Sequence, residues 1–307
     1  MRGKRKRKDV QEFQLGLMDN ILSLHTDLKT NTYTHAGYHA FNIRDPKPRN
    51  IHKATVRDRL LHHAVYRVLY PYFDKRFISE SYSCRINKGT HKAIKQFQRY
   101  SWHVSKNNTR TCWILKCDIK KFFANIDHHI LLEILNKHID DKETLNLLET
   151  IISSFHSPMS KTVFDIGLPL GNLTSQLLVN IYMNEFDQFV KHKLKVKHYI
   201  RYADDFVFFS SNTEELSTIY QYIVEFLEQE LKLTLHPDKV FVKTLASGID
   251  FLGWVHFPDH RVLRTVTKRR MLKKVSTCQV DTLGAVRASY LGILKWGNTH
   301  KLKKMIG

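Results

Sequence analysis

The chain is predicted to be an α+β protein in which helices cover one face of a mainly antiparallel sheet. Three observations predict it. Short runs rich in aromatic and β-branched residues, at 113–117, 199–202 and 206–210, alternate with long apolar stripes at helical spacing. Only Ala203-Asp204-Asp205 separates the second run from the third, a hairpin-type link rather than the crossover a parallel pair needs. The 307 residues, 42% hydrophobic and 25% charged, have ordinary globular composition and length for one large domain or a few coupled subdomains.

Six of the first eight residues are Lys or Arg, a self-repelling block that reads either as an arm lying on phosphates or as a solubilising tail. The breaker cluster Arg44-Asp45-Pro46-Lys47-Pro48-Arg49 precedes a helical pattern through Val56, Leu60, His63 and residues 65–69. The run 113–117 reads as a strand ending at Asp118. Asp127 can cap a helix carrying Ile130, Leu131, Ile134 and Leu135, and a second helix follows with Leu145, Leu148, Ile152 and Phe155. After Thr174 and Ser175 comes a stripe of Leu178, Ile181, Tyr182, Phe186, Phe189 and Val190. Asn212, with Glu215 at the capping-box offset, opens a helix through Leu216, Ile219, Tyr220, Ile223 and Leu227. These are packing faces. Beyond residue 260 stand twelve Lys or Arg and one acid, the composition of a helical subdomain facing nucleic acid.

Lys and Arg number 49 against 29 Asp and Glu, a net charge of +20 that points to a polyanionic partner, with nucleic acid ahead of an anionic membrane. The four cysteines, Cys84, Cys112, Cys117 and Cys278, form no C-x-x-C pair, and no histidines cluster at zinc spacing. Neither a zinc site nor a disulfide framework is expected, and reduced, buried thiols in a cytoplasmic protein are. No apolar run approaches the roughly 20 residues that span a bilayer, and no apolar segment follows the basic start, so a soluble, unsecreted protein with no membrane partner is expected.

Asp204 and Asp205 sit inside an otherwise apolar, strand-forming stretch. Burying ionised carboxylates is costly unless they are paired or bind a cation, so a tight turn presenting both acids to a metal is one physical solution. An exposed hairpin turn is the other. Asp118 ends its own strand and can meet the pair across a sheet, although a capping role would also place an acid there. Hard carboxylate oxygens suit Mg²⁺, and two such ions about 3.5 to 4 Å apart can hold the attacking hydroxyl and the leaving phosphate of an in-line displacement.

With these residues the sequence resembles the bacterial reverse transcriptases. The ordered blocks are Lys47-Pro48-Arg49 with Asp58-Arg59-Leu60, Ser81-Tyr82-Ser83-Cys84-Arg85 with Gly89-Thr90-His91, and Asp118 to Phe123 with Ile126-Asp127-His128. Gly167-Leu168-Pro169-Leu170-Gly171, the Tyr202-Ala203-Asp204-Asp205 box, residues 233–239 and Phe251-Leu252-Gly253-Trp254 follow. The resemblance implies a right-hand polymerase, with a basic arm and helical segment over 1–43, fingers over 44–110, a palm carrying the antiparallel sheet over 111–258 and a short helical thumb over 259–307. It implies two Mg²⁺ ions, with Mn²⁺ able to substitute, held mainly by Asp118 and Asp204, with the Ile119 carbonyl assisting and Asp205 more peripheral. Phe123 would be the steric gate against the ribose 2′-hydroxyl, where plain core packing beside Phe122 is the other reading. Arg49 would grip the incoming triphosphate, with Lys47 and Arg85 as further candidates. Lys239 matches the position that protonates the pyrophosphate leaving group, where an ordinary surface lysine is the other reading. Residues 251–254 would form the hairpin under the primer end.

Within the family, Gly171-Asn172-Leu173-Thr174-Ser175-Gln176, with Leu170 where many relatives carry Gln, resembles the enzymes of diversity-generating retroelements. Residues 289–292 (Ser-Tyr-Leu-Gly) and 295–300 (Lys-Trp-Gly-Asn-Thr-His) share that likeness. It implies an RNA-directed DNA polymerase that makes cDNA from a template RNA and primer, errs opposite adenine and works with a small basic oligomeric accessory protein. Leu170 can only pack where Gln would hydrogen-bond, so one polar check on the nucleotide is lost, and both Leu170 and Gln176 belong to the expected nucleotide site. Phage-defence reverse transcriptases that use a noncoding RNA are the alternative. Group II intron maturases are disfavoured because only about 50 residues follow the palm, less than separate maturase and nuclease domains need. A catalytically dead nucleic-acid scaffold is opposed by the intact aspartates. Bacterial, archaeal or phage origin and a cytoplasmic location are expected.

Overall fold

The computed structural model describes residues 3–44, 48–157 and 165–306. In chain order it contains α1 (Lys8–Leu15), α2 (Leu17–Lys29), β1 (His39–Ile43), β2 (Arg49–Lys53), α3 (Val56–Asp74) and α4 (Thr90–Val104). Next come β3 (Trp113–Asp118), α5 (His128–Asn136), α6 (Lys142–Ser153), α7 (Leu173–Gln188), β4 (Tyr199–Tyr202), β5 (Asp205–Ser210) and α8 (Thr213–Gln229). The chain ends with β6 (Phe241–Thr244), β7 (Ile249–Phe251), β8 (Trp254–His256), β9 (Arg261–Leu263), α9 (Thr265–Thr277), α10 (Val280–Leu294) and α11 (His300–Ile306). The expected α+β class holds, and every strand pair in the three sheets is antiparallel.

The chain divides into two compact units. One comprises Met1–Ser79, Ile119–Lys195 and Ile223–Thr234. In it α3 starts at Thr55, whose hydroxyl oxygen accepts from the Asp58 amide while the buried Asp58 carboxylate takes the Tyr33 hydroxyl at 2.8 Å. Asp127 caps α5 by accepting from the Ile130 amide at 3.1 Å, as expected. The expected one-sided stripe after Ser175 is different: α7 begins at Leu173, and residues on all its faces are buried. It packs against both α3 and α5, so neither flank is left to solvent. Asn172, at its cap position, turns its amide away to donate to the His52 carbonyl at 2.9 Å, tying α7 to β2.

The other unit comprises Glu80–Asp118, Val196–Tyr222 and Leu235–Gly307. Its four-stranded sheet has the order β4-β5-β3-β6, and a three-stranded meander runs β7-β8-β9. Phe97 of α4 packs on Phe209 of β5 and Phe251 of β7, inside a cluster with Ile114, Ile200 and Val207. A second cluster joins Trp254, Leu263, Met271, Leu294 and Leu302, which ties α9, α10 and α11 to the meander. Gly297 is required here, because a Cβ would lie 2.1 Å from the Trp254 ring. At the head of α8 the capping box is only half formed: Asn212 accepts from the Glu214 amide at 2.8 Å, while Glu215 bonds the Ser210 hydroxyl. Cys112 and Cys117 are buried, but Cys84 is exposed, contrary to the expectation for all four thiols. Among the described residues no helix is long and apolar enough to cross a membrane.

Candidate active site

The register of β3 against β5 builds the site. Ile114, Lys116 and Asp118 pair with Phe209, Val207 and Asp205, so Asp118 and Asp205 stand directly opposite at the strand ends. Tyr202 pairs with Asp205 on the other side, leaving Ala203 and Asp204 as a two-residue turn. Ala203 has φ 58°, a left-handed conformation that costs an L-residue about 1–2 kcal/mol. Something must hold it there.

That something is Arg201, the largest fully buried side chain of the described residues. One guanidinium nitrogen donates to the Ala203 carbonyl at 3.2 Å and another to the Ser81 hydroxyl at 3.0 Å. The backbone of 80–82 braces the same strand, with Arg201 N donating to the Glu80 carbonyl and Tyr82 N to the Arg201 carbonyl, both at 3.0 Å. Arg85 donates to the Ser81 carbonyl at 3.0 Å and so belongs to this bracing segment. Sequence reasoning passed over Arg201. Its signal was a charged residue within the strand run that leads into the acids.

Lys116 was missed too. It lies two residues before Asp118, hence on the same face of β3, and its ammonium sits 3.3 Å from Asp205 Oδ1. The contact is off the hydrogen-bonding direction, and Oδ1 is buried with no hydrogen bond. Burial, aided by the neighbouring Asp118 and Asp204 charges and opposed by Lys116, pushes the Asp205 carboxyl up to about 7. Lys239 closes the group. A turn over Pro237–Lys239 is stapled to the strand end by the His236 amide, which donates to the Asp118 carbonyl at 2.8 Å. The Lys239 ammonium then meets Asp118 Oδ1 at 2.7 Å.

The remaining expected residues, Lys47 apart, lie in the first unit. Phe123 follows the buried Phe122 in a 3-10 turn, the two rings meeting edge-on at 5.6 Å, and its carbonyl accepts from the Leu168 amide at 2.7 Å. The Leu170 carbonyl accepts from the His52 amide at 2.9 Å, which sets the Gly167-to-Gly171 block beside β2, the strand that begins with the exposed Arg49. Gly171, at φ 109°, lets this approach happen, since a Cβ would stand 2.7 Å from the Ile51 side chain. Gln176 is half-buried on the second turn of α7, and Ile119 is buried. Lys47 lies outside the described residues. In the second unit, Leu252 and Gly253, both at positive φ, make the tight turn joining β7 and β8 in the hairpin expected over 251–254.

Residues 43–256 match the family described as reverse transcriptase (RNA-dependent DNA polymerase). The chain is 26% identical to Protein YkfC of Escherichia coli over 272 residues, which cover 78% of this chain and 69% of that protein. It is 25% identical to the group II intron-encoded protein LtrA of Lactococcus lactis, covering 70% of this chain and 45% of LtrA. Among solved structures it resembles apo telomerase from Candida tropicalis truncated from its C-terminal domain, with TM-score 0.56 and 13% identity over 80% of this chain and 60% of the telomerase. Telomerase from Candida albicans in complex with a fragment of telomeric RNA matches with TM-score 0.55 and 12% identity, over 85% of this chain and 53% of that one. At such identity the likeness shows the fold, that of a right-hand polymerase.

Proposed function

The chain belongs to the reverse transcriptase (RNA-dependent DNA polymerase) family, with relatives among the group II intron type, and on that premise we propose that it extends a primer along a template RNA by two-metal nucleotidyl transfer, with errors concentrated at adenines in a diversity-generating retroelement. The observation that carries the polymerase reading is the strand register that sets Asp118 opposite Asp205 with Asp204 in the adjoining turn.

The residues fit a pair of divalent ions. The donors are all hard oxygens, Asp205 Oδ1 is buried without a hydrogen bond, and an ammonium lies on Asp118 as a cation would. Asp118 and Asp204 would hold Mg²⁺, or Mn²⁺ in its place, with the Ile119 carbonyl and Asp205 assisting. When bound, such ions supply Lewis-acid activation of the attacking 3′-hydroxyl and charge neutralisation at the leaving pyrophosphate. Arg201 keeps the turn that aims Asp204. Lys239 carries a proton within reach of this group and is the donor for the pyrophosphate oxygen. Arg49, with Lys47 and Arg85, would bind the triphosphate, and Phe123, Leu170 and Gln176 would meet the sugar and base. Under this reading the fingers span 44–110, the palm 111–258 and the thumb 259–307, and an accessory protein assists on the native template RNA.

Primer extension on RNA with deoxynucleotides and Mg²⁺ tests the first part: wild type extends, and Asp204→Asn, folded by circular dichroism, does not. Full activity in that variant removes the site. Sequencing the cDNA tests the second part. Adenines copied as accurately as other bases, with native RNA and accessory protein present, would replace the retroelement by a defence enzyme using a noncoding RNA.

A further inference from the structure

The first unit gathers three metal-binding side chains that no sequence spacing announces. His128 begins α5, His156 follows α6, and Asp165 precedes the Gly167 block. Backbone pairing brings the three segments together: His128 N donates to the Asp165 carbonyl at 3.0 Å, Ser157 N to the Ile166 carbonyl at 2.8 Å, and Gly167 N to the Ile126 carbonyl at 2.8 Å. One ligand atom from each of His128, His156 and Asp165 then lies within 4.8 Å of the others.

The buried member is prepared for the role. His128 is 2% exposed, and its Nε2 is 2.7 Å from the Gly167 carbonyl oxygen. A carbonyl can only accept, so Nε2 carries the hydrogen and, in the neutral ring, Nδ1 carries the lone pair. Histidine ligands of metals show this arrangement, with the far nitrogen donating to a backbone carbonyl that fixes tautomer and ring orientation. His128 Nδ1 is buried with no hydrogen-bond partner. A buried nitrogen left without a partner is unfavourable, and a ligand relieves it.

We propose that His128 Nδ1, His156 and Asp165 form a second metal site, distinct from the polymerase carboxylates, that takes a borderline d-block cation of the Zn²⁺ class. Two imidazoles and one carboxylate suit Zn²⁺, whereas an all-oxygen set suits Mg²⁺, so the two sites differ in the metal they select. Three protein ligands leave a fourth position for water. His156 and Asp165 are exposed and His128 is buried, so a cation would reach the site from the His156 and Asp165 side. The ion clips the ends of residues 126–128, 155–157 and 165–167 together. Gly167 leads into Leu168, whose amide holds the Phe123 carbonyl, so the clip steadies that contact.

The test uses the untagged full chain, stripped with chelator and titrated with Co²⁺ and Zn²⁺ in excess Mg²⁺. One equivalent should bind, Co²⁺ giving the intense visible bands of a four-coordinate nitrogen–oxygen site, Zn²⁺ bleaching them and raising the melting temperature. His156→Ala and Asp165→Asn, both exposed positions expected to fold normally by circular dichroism, should weaken Co²⁺ binding at least about 100-fold, beyond the roughly 10–100-fold lost with a partner that only orients a ligand. Asp204→Asn should bind as wild type does. The proposal is overturned if wild type binds no Co²⁺ with such a spectrum, if His156→Ala and Asp165→Asn bind with unchanged stoichiometry, or if Asp204→Asn alone loses the ion.

Discussion

Replacing Asp205 by Asn should make the metal-free protein more stable at neutral and alkaline pH while impairing catalysis. Burial holds the folded Asp205 carboxyl near 7, against 3.8 when unperturbed. Between those values the native state keeps a proton that the unfolded chain has released, so stability falls as pH rises through the window and levels off above about 7. The span from 3.8 to about 7, at about 1.4 kcal/mol per pH unit, amounts to ~4 kcal/mol. Asn avoids that cost but deprives Lys116, 3.3 Å away, of its opposite charge. The net gain should therefore be about 1–3 kcal/mol at pH 8 and near zero or negative at pH 4, where wild-type Asp205 is protonated. Urea unfolding of both proteins with chelator, at pH 4, 6 and 8, measures it. Adding Mg²⁺ should then stabilise wild type much more than Asp205→Asn. A variant less stable than wild type by the same amount at every pH would refute the reasoning, because it would mean the carboxylate is no burden to the apo fold.

Phe123→Ala should admit ribonucleotides, since removing the ring opens room for the 2′-hydroxyl; unchanged selectivity in competition assays would leave Phe123 as packing for Phe122. Leu170→Gln adds one hydrogen-bonding group worth about 0.5–1.5 kcal/mol, so errors opposite adenine should drop roughly several-fold without vanishing, as read by sequencing products from one template. Arg201→Met removes the donors to Ala203 and Ser81 and should cost about 2–5 kcal/mol in urea unfolding, with kcat falling more than KM changes; a variant equal to wild type in both would deny Arg201 its hold on the turn.

Much of this was legible because it is local. Asp127 caps α5 through an amide three residues on, a contact that sequence spacing alone describes. The stretch 199–210 became a hairpin because its side chains suit strands and its centre suits a turn, and the same stretch carries the two acids. The α+β class and the strand-end position of Asp118 followed on the same ground, whereas the 251–254 hairpin was expected only from the family resemblance.

What escaped the sequence depended on contacts between distant residues. Lys116 is an ordinary strand lysine until the β3–β5 register sets its ammonium beside Asp205, 89 positions later. Arg201 reads as an interruption of a strand until the chain at Ser81 folds against it. The stripe on α7 showed one apolar face, and only packing by α3 and α5 buried the rest of the helix. Gly297 needed its missing side chain because Trp254, from another element, lies across it. His128, His156 and Asp165 follow no metal-binding spacing, and three backbone hydrogen bonds between separate segments place them together. Propensity and periodicity act over a few residues and are written in the amino-acid order, whereas register and packing are settled by the lowest free energy of the whole chain.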